Sequence, residues 1–187
     1  MSIDPETSRD TAAHPSGALR LRPVGADDLD LLRRLATDPV LVGLDWNGFR
    51  DAGEVTRRFE RDGFLSDEVS NLMVDVGGST VGMVQHRQQT FAGRGPYQEI
   101  GIVLLPEFRG RGYGWRAQAL LCDYLFQHWP IQRVQAGTHP ENRAEQKALV
   151  KAGFQLEGTI RAAEFRAGQW RDGLLFSRLR DDPTPKI

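Results

Sequence analysis

The chain has 187 residues, 24 Lys plus Arg against 25 Asp plus Glu, a formal net charge of −1 and an apolar fraction of 40%. That length suits one domain able to bury a sizeable core, and the charge balance excludes a bulk polyanion binder while leaving room for a local basic patch. The single cysteine, Cys122, excludes an intrachain disulfide and a cysteine-based metal cluster, and fits a reducing cytoplasm.

Residues 1–17 are rich in Pro, Ser, Thr and charge and lack an apolar h-region. They read as a disordered leader and not as a secretory signal. No run approaches the ~18 apolar residues of a membrane span. One domain is expected over 18–180, followed by a flexible tail over 181–187. Ala18 to Val24 alternates as a strand. Asp27 to Thr37 reads as a helix with Leu29, Leu32 and Leu35 on one face, stopped by Asp38 and Pro39. Residues 40–50 read as loop. Asp51 to Gly63 is a charged helix with Val55 and Phe59 turned inward. Asn71 to Val76 and Thr80 to Arg87 form a hairpin about Gly77-Gly78. Residues 88–95 read as loop, and Tyr97 to Leu105 as a strong strand. Gly112 to His128 is a helix with a stripe of Ala117, Leu120, Leu121, Tyr124 and Leu125. Ile131 to Thr138 is a strand. Glu141 to Ala152 is a helix with Gly153 at its left-handed cap. Phe154 to Arg166 and Gln169 to Leu179 close a hairpin about Ala167-Gly168. The order β-α-α-β-β-β-α-β-α-β-β implies an α/β class fold, an α+β mixed sheet with helices packed on it.

The segment richest in chemistry is Glu99-Ile100-Gly101-Ile102-Val103-Leu104-Leu105-Pro106-Glu107-Phe108-Arg109-Gly110-Arg111-Gly112-Tyr113-Gly114. A buried strand runs through a Gly-rich loop into a helix. Glycines let a ligand approach the backbone, and the helix start adds unpaired N–H groups and the positive end of its dipole. That combination is an anion site suited to phosphate or pyrophosphate. No Gly-Lys-Ser/Thr follows, so it is not a P-loop. The glycine spacing and the preceding hairpin fit a Rossmann site poorly.

Arg109-x-x-Gly112-x-Gly114 after such a strand resembles the acetyl-CoA signature (Arg/Gln-x-x-Gly-x-Gly/Ala) of the GNAT N-acetyltransferases. Thr138-His139-Pro140-Glu141-Asn142 resembles the Asn-bearing end of that family's fifth strand. Lys151-Ala152-Gly153-Phe154-Gln155-Leu156-Glu157-Gly158 and Phe165-Arg166-Ala167-Gly168-Gln169-Trp170-Arg171-Asp172 resemble the RimJ/RimL-like branch. The resemblance covers about residues 18–180 with the element order kept. It implies the GNAT acyl-CoA N-acyltransferase fold with a splayed central sheet. It further implies a pantetheine arm against the backbone of Ile102, Val103 and Leu104, and a pyrophosphate on the amides of Arg109, Gly110, Arg111, Gly112, Tyr113 and Gly114. Arg109 and Arg111 either reach phosphate through a side chain or are solvated surface charges. Asn142 either contacts the cofactor arm or caps a helix; the two are compatible.

Acyl transfer to an amine needs a base for the ammonium proton, an N–H for the oxyanion and an acid for the leaving thiolate. Glu99 is the first candidate base, its alternative being a salt-bridged strand residue. His139 is the second, its alternative a loop histidine, and His86 the third. The two positions where the family carries a hydroxyl acid are Glu145 and Leu149 here. Glu145 either acts as the acid when protonated or is an exposed first-turn carboxylate. Cys122 reads as a packing residue. The acceptor pocket is expected from residues 38–50 and the 88–97 loop, with Asp45, Trp46, Asn47 and Phe49 as an apolar-plus-acidic group or, alternatively, a loop anchored by one buried Trp. Glu164 and Trp170 border it.

The expected activity is acetyl transfer from acetyl-CoA to a primary amine, by direct attack in a ternary complex, with no metal. The acceptor is a small amine or a peptide N-terminus. Two alternatives stay open: another donor (a larger acyl-CoA or an aminoacyl-tRNA, which a net charge of −1 does not help to bind) and a non-catalytic CoA-binding regulatory module. Membrane and other nucleic-acid partners are not expected. Strand edges in such folds often pair, which makes a homodimer an expectation.

Overall fold

The computed structural model describes residues 17–46 and 48–186. Residues 1–16 of the expected leader, with Asn47 and Ile187, lie outside the described residues.

The chain opens with β1 (Leu19–Pro23), a 3-10 turn and α1 (Leu29–Thr37). Arg22 forks onto Asp28 at 2.6 and 2.8 Å and fixes that turn. The same pair holds the buried Asp28 carboxyl below its ordinary range. Residues 40–50, expected as loop, contain α2 (Pro39–Val42) and a 3-10 turn over Gly43–Asp45. Asp38 and Pro39 do end α1, but together they start α2. Asp38 Oδ1 accepts from the Val40 and Leu41 N–H groups, and Pro39 takes the first helical position, where no N–H is needed. α3 (Ala52–Asp62) has Asp51 as its N-cap and left-handed Gly63 at its end.

The sheet is built from β1, β2 (Val69–Val76), β3 (Ser79–Phe91), β4 (Gly95–Leu104), β5 (Arg133–Thr138), β6 (Gln155–Arg166) and β7 (Gln169–Leu179). Its order is β1-β2-β3-β4-β5-β7-β6. Residues 88–95, expected as loop, extend the β3–β4 hairpin, with pairs from Gln88↔Gln98 to Phe91↔Gly95. Gln88, Gln89 and Thr90 show no alternation because neither face of that ribbon is buried. α4 (Tyr113–His128) and α5 (Arg143–Lys151) complete the fold.

Helices cover both faces of the sheet. The larger core joins Val74, Val81, Val84, Ile100, Val134 and Phe176 to Ala117, Leu121 and Leu125 of α4 and Leu149 of α5. The smaller joins Val24, Leu32, Phe64 and Met73, with Val55 and Phe59 packed against them. The α4 stripe is wider than its periodicity predicts. Gln118, Ala119 and Cys122 are buried, whereas Tyr124 is exposed and packs on His128 and Trp129. The helix is contacted by the sheet on one side and by α5 on another, so its buried arc turns away from Tyr124. Arg180 closes the C-terminal end of α4 by donating to the carbonyls of Phe126, Trp129 and Ile131. Residues 181–186 carry no helix or strand, but Asp182 accepts from the Leu179 N–H and Asp181 from Gln132.

One feature of the sheet positions the site. β4 and β5 are its parallel pair, and their pairing covers just Gln98↔Val134, Glu99↔Gln135 and Ile100↔Ala136. Beyond Ile100, β4 runs on against β3 to Leu104, while β5 runs on against β7 to Thr138. The two strands splay, and the backbone of Gly101 to Leu104 faces the gap. Gly82 of β3 makes room for that strand: a Cβ there would lie 2.3 Å from the Val103 carbonyl oxygen.

Candidate active site

The gap leads directly into the loop that starts α4. After a 3-10 turn over Pro106–Phe108, Gly110 and Gly112 take φ of +74° and +78°, which only glycine adopts without strain. Gly112 is the N-cap of α4, and it makes no side-chain cap to the helix start. Nothing lies within 4 Å of a Cβ built at Gly110, whereas one built at Gly114 would lie 3.6 Å from Leu104 Cδ1. These are properties a pyrophosphate cradle needs: a glycine-lined backbone, open space at Gly110 and the positive end of a 16-residue helix.

The basic side chains divide their work. Arg109 does not turn to the loop's ligand side: its Nε donates to the Leu104 carbonyl (2.9 Å) and its Nη2 to the Leu41 carbonyl (2.7 Å). It ties the end of β4 to α2. The Arg111 guanidinium lies over Phe108, and that of Arg116 over Tyr113. Arg116, one turn into α4, also donates to the Gly112 carbonyl at 3.3 Å. Sequence reading missed Arg116, whose signal is only its i+4 spacing from Gly112. Ile102, Val103 and Leu104 are half-buried along the gap. Asn142 caps α5, its Oδ1 accepting from the Glu145 N–H at 3.1 Å.

Beside the gap the fold assembles acids from distant segments. His139, just past β5, is 9% exposed. Its Nε2 lies 3.1 Å from Asp45 Oδ1, and its Nδ1 lies 2.9 Å from Glu164 Oε1. Glu164 Oε1 also accepts from Arg166 Nε at 2.8 Å. Gln146 of α5 holds the turn by donating to the carbonyls of His139 and Pro140. Glu145 sits close by. Its carboxyl is pushed up to about 7, first by burial and then by the like charge of Asp45, while a hydrogen bond from Gln118 opposes the rise. Gln118, itself buried, also donates to the Gly114 carbonyl at 3.4 Å. One amide therefore connects the glycine loop to Glu145.

The other candidates fall elsewhere. Glu99 keeps 28% of its side chain exposed and accepts from Arg87 across the β3–β4 ladder at 2.7 Å, the salt-bridged arrangement. His86 is buried in hydrogen-bond contact with Gln98 and edge-on to Trp129, and burial lowers its pKa. Burial pushes the Cys122 thiol up to about 12, which suits packing and not nucleophilic attack. Trp46 packs edge-on against Phe49 at 5.3 Å. Trp170 is 67% exposed and packs edge-on against Phe165. Asp45 and Trp46 line a cavity of about 530 Å³ with residues of α1, α3 and the sheet. The 88–97 segment expected to help form it is instead paired hairpin, outside that lining. Among the described residues, no group of three or more His, Cys, Asp or Glu side chains is placed to hold a metal ion, and no helix is long and apolar enough to cross a membrane.

The profile of the family described as an acetyltransferase (GNAT) domain matches residues 18–155. The chain belongs to the GNAT acetyltransferase family. It is 34% identical over 83 residues to the probable N-acetyltransferase YjcK of Bacillus subtilis, a stretch covering 44% of this chain and 46% of that protein. RimJ of Mycobacterium smegmatis, solved in complex with CoA-disulfide, superposes with a TM-score of 0.71 at 25% identity, over 89% of this chain and 84% of that one. The spermidine N-acetyltransferase of Vibrio cholerae, solved with CoA and spermine, superposes with a TM-score of 0.76 at 18% identity, over 88% and 96%. This GNAT acetyltransferase shares their fold: a seven-stranded mixed sheet with helices on both faces.

Proposed function

We propose that the protein transfers an acetyl group from acetyl-CoA to a primary amine by direct attack in a ternary complex. The observation that carries this reading is the β4–β5 gap opening onto an uncapped glycine loop, with an acidic cluster beside it. Acetyl-CoA supplies the acetyl group as a thioester. The first-turn amides of α4 and the Arg116 guanidinium hold its anionic part, and the backbone of Ile102 to Leu104 takes its arm as a strand would. Asn142 orients the start of α5 toward that arm.

The chain's own groups then account for both proton movements. His139, held between Asp45 and Glu164, is placed to receive the ammonium proton through Asp45 or a water and pass it toward Glu164. Glu145 stands where the family resemblance leads one to expect a hydroxyl. Its raised pKa keeps a proton on the carboxyl at neutral pH for the departing sulfur. The absent hydroxyl is thus replaced by an acid tuned by burial.

Thiol release from acetyl-CoA over a panel of amines tests this. Turnover that needs an amine, falls at least about tenfold in Glu145→Gln and changes its pH profile in His139→Gln is expected. CoA binding without amine-dependent thiol release would overturn it.

A further inference from the structure

Asn71 of β2 is 4% exposed, and the two ends of its amide fare differently. Nδ2 donates to Met83 Sδ at 3.3 Å, and because a thioether can only accept, the nitrogen is fixed on that side. Oδ1 is buried with no hydrogen-bond partner. Asn71 belongs to the wall of the cavity of about 530 Å³, together with Gln85 and Val103. The charged groups of that wall are engaged: Asp45 meets His139, Asp51 and Glu54 meet Arg57, and Arg58 donates to the Val69 carbonyl. Arg50 lies on the wall too and has a contact of its own. A buried carbonyl oxygen is nearly always hydrogen-bonded, so one without a partner marks a position that a donor would fill.

Strand register relates that oxygen to the gap. Asn71 pairs with Gln85 and Gln85 with Gly101, so the three form one row across β2, β3 and β4. The alternation that turns Met73 and Met83 toward α1 and α3 puts this row on the same face of the sheet. Gly101 is the first β4 residue past the last β4–β5 pair, Ile100↔Ala136. Asn71 therefore lies two strand spacings, about 10 Å, from the opening of the gap. Gly101 adds no side chain to the row and Gln85 is exposed, which leaves a path along it.

We infer that Asn71 is a specificity-determining residue: its Oδ1 accepts from a second donor on the acceptor, a hydroxyl or amide N–H carried at the end away from the reacting amine. The inference rests on the acetyl-transfer reading for which end of the acceptor faces the gap. With the reacting nitrogen at the mouth of the gap, an extended chain of five carbons ending in a hydroxyl spans most of the distance, and the Asn71 side chain covers the remainder. An alkylamine of the same shape leaves Oδ1 unpaired beneath its methyl end. The two ligands therefore differ by one hydrogen bond to a buried group, the kind of difference that binding sites discriminate well.

The test compares 5-aminopentan-1-ol with n-hexylamine, which has a methyl group in place of the hydroxyl. Binding of each to the CoA-loaded protein is measured by calorimetry, and acetylation by thiol release from acetyl-CoA. The amino alcohol is expected to bind the wild type at least about tenfold tighter. Asn71→Leu, close in shape and without the acceptor, is expected to abolish or reverse that ratio. Asn71→Ala supplies the same comparison should Asn71→Leu fail to fold. A purely structural effect of either substitution weakens both ligands alike and leaves the ratio in place. Equal or tighter binding of n-hexylamine by the wild type, a ratio that survives in the variant, or no binding of either amine would overturn the inference. Acetylation of both amines without preference would overturn the role of Asn71 and leave the transfer reading standing. The expected binding ratio without acetylation would overturn transfer and leave the role of Asn71 standing.

Discussion

Glu145→Gln separates stability from catalysis in opposite directions. The carboxyl is raised from an ordinary 4.5 to about 7 in the folded protein. At about 1.4 kcal/mol per pH unit, that rise corresponds to roughly 3 kcal/mol of destabilisation once the group is ionised in both states. Part of the residue still reaches solvent, which reduces the figure to about 2 kcal/mol. Between pH 4.5 and about 7 the folded state holds a proton that the unfolded state has released, so wild-type stability falls as pH rises through that window. Below it the two states are equally protonated and nothing is lost. Gln keeps the shape and the contact with Gln118 without the charge. The variant is expected to melt about 4–8 °C above wild type at pH 8 and level with it at pH 4. Its amine-dependent thiol release is expected to fall and to lose the wild-type decline above pH 7. Melting curves at the two pH values and a pH–rate profile measure both. Identical shifts at pH 4 and pH 8 would refute the burial argument, and an unchanged pH–rate profile would refute the acid role.

Three further outcomes follow from particular contacts. Arg109→Ala removes the donors to the Leu41 and Leu104 carbonyls. Denaturant unfolding is expected to show a loss of about 2 kcal/mol, and KM is expected to rise for acetyl-CoA and acceptor together because α2 and β4 are released from each other. Glu157 is held down to about 2 by Arg133 and Ser177. Its stabilising effect is present above pH 4.5 and lost as pH falls through 2; Glu157→Gln is expected to cost about 1 kcal/mol at pH 7, after allowing for exposure, and clearly less at pH 2 in the same unfolding assay. Arg180→Ala frees three carbonyls at the end of α4 and is expected to lower stability by about 1–2 kcal/mol without changing the KM for acetyl-CoA.

Much of the fold is legible in the sequence because local chemistry and tertiary packing agree. The glycine loop announces itself through three closely spaced glycines after an apolar strand. Gly63 and Gly153 both take the left-handed φ that ends a helix. Where the reading fails, local and tertiary signals diverge. Asp38-Pro39 is both a stop for one helix and a start for the next, and sequence alone shows only the stop. Gln88 to Thr90 form a ladder held by backbone pairing with no burial pattern to betray it. The candidate site is legible where it is contiguous, at 101–114, and obscure where it is assembled across the fold. Asp45 and His139 are 94 residues apart and meet only because the 3-10 turn after α2 and the end of β5 converge. Nothing in Arg109 distinguishes a phosphate ligand from a strut between two carbonyls. Glu145 is visible as a departure from the family pattern, and its raised pKa follows from surroundings that only the folded chain provides.

The most direct test is a calorimetric titration of acetyl-CoA into the wild type and Gly112→Trp. Gly112 has a φ of +78°, and a Cβ there would lie 3.1 Å from Trp115 Nε1, so a bulky side chain closes the cradle at the helix start. The account predicts saturable one-to-one binding by the wild type and its loss in a variant that still melts cooperatively. A folded wild type that fails to bind, or a variant that binds as tightly as wild type, would contradict it.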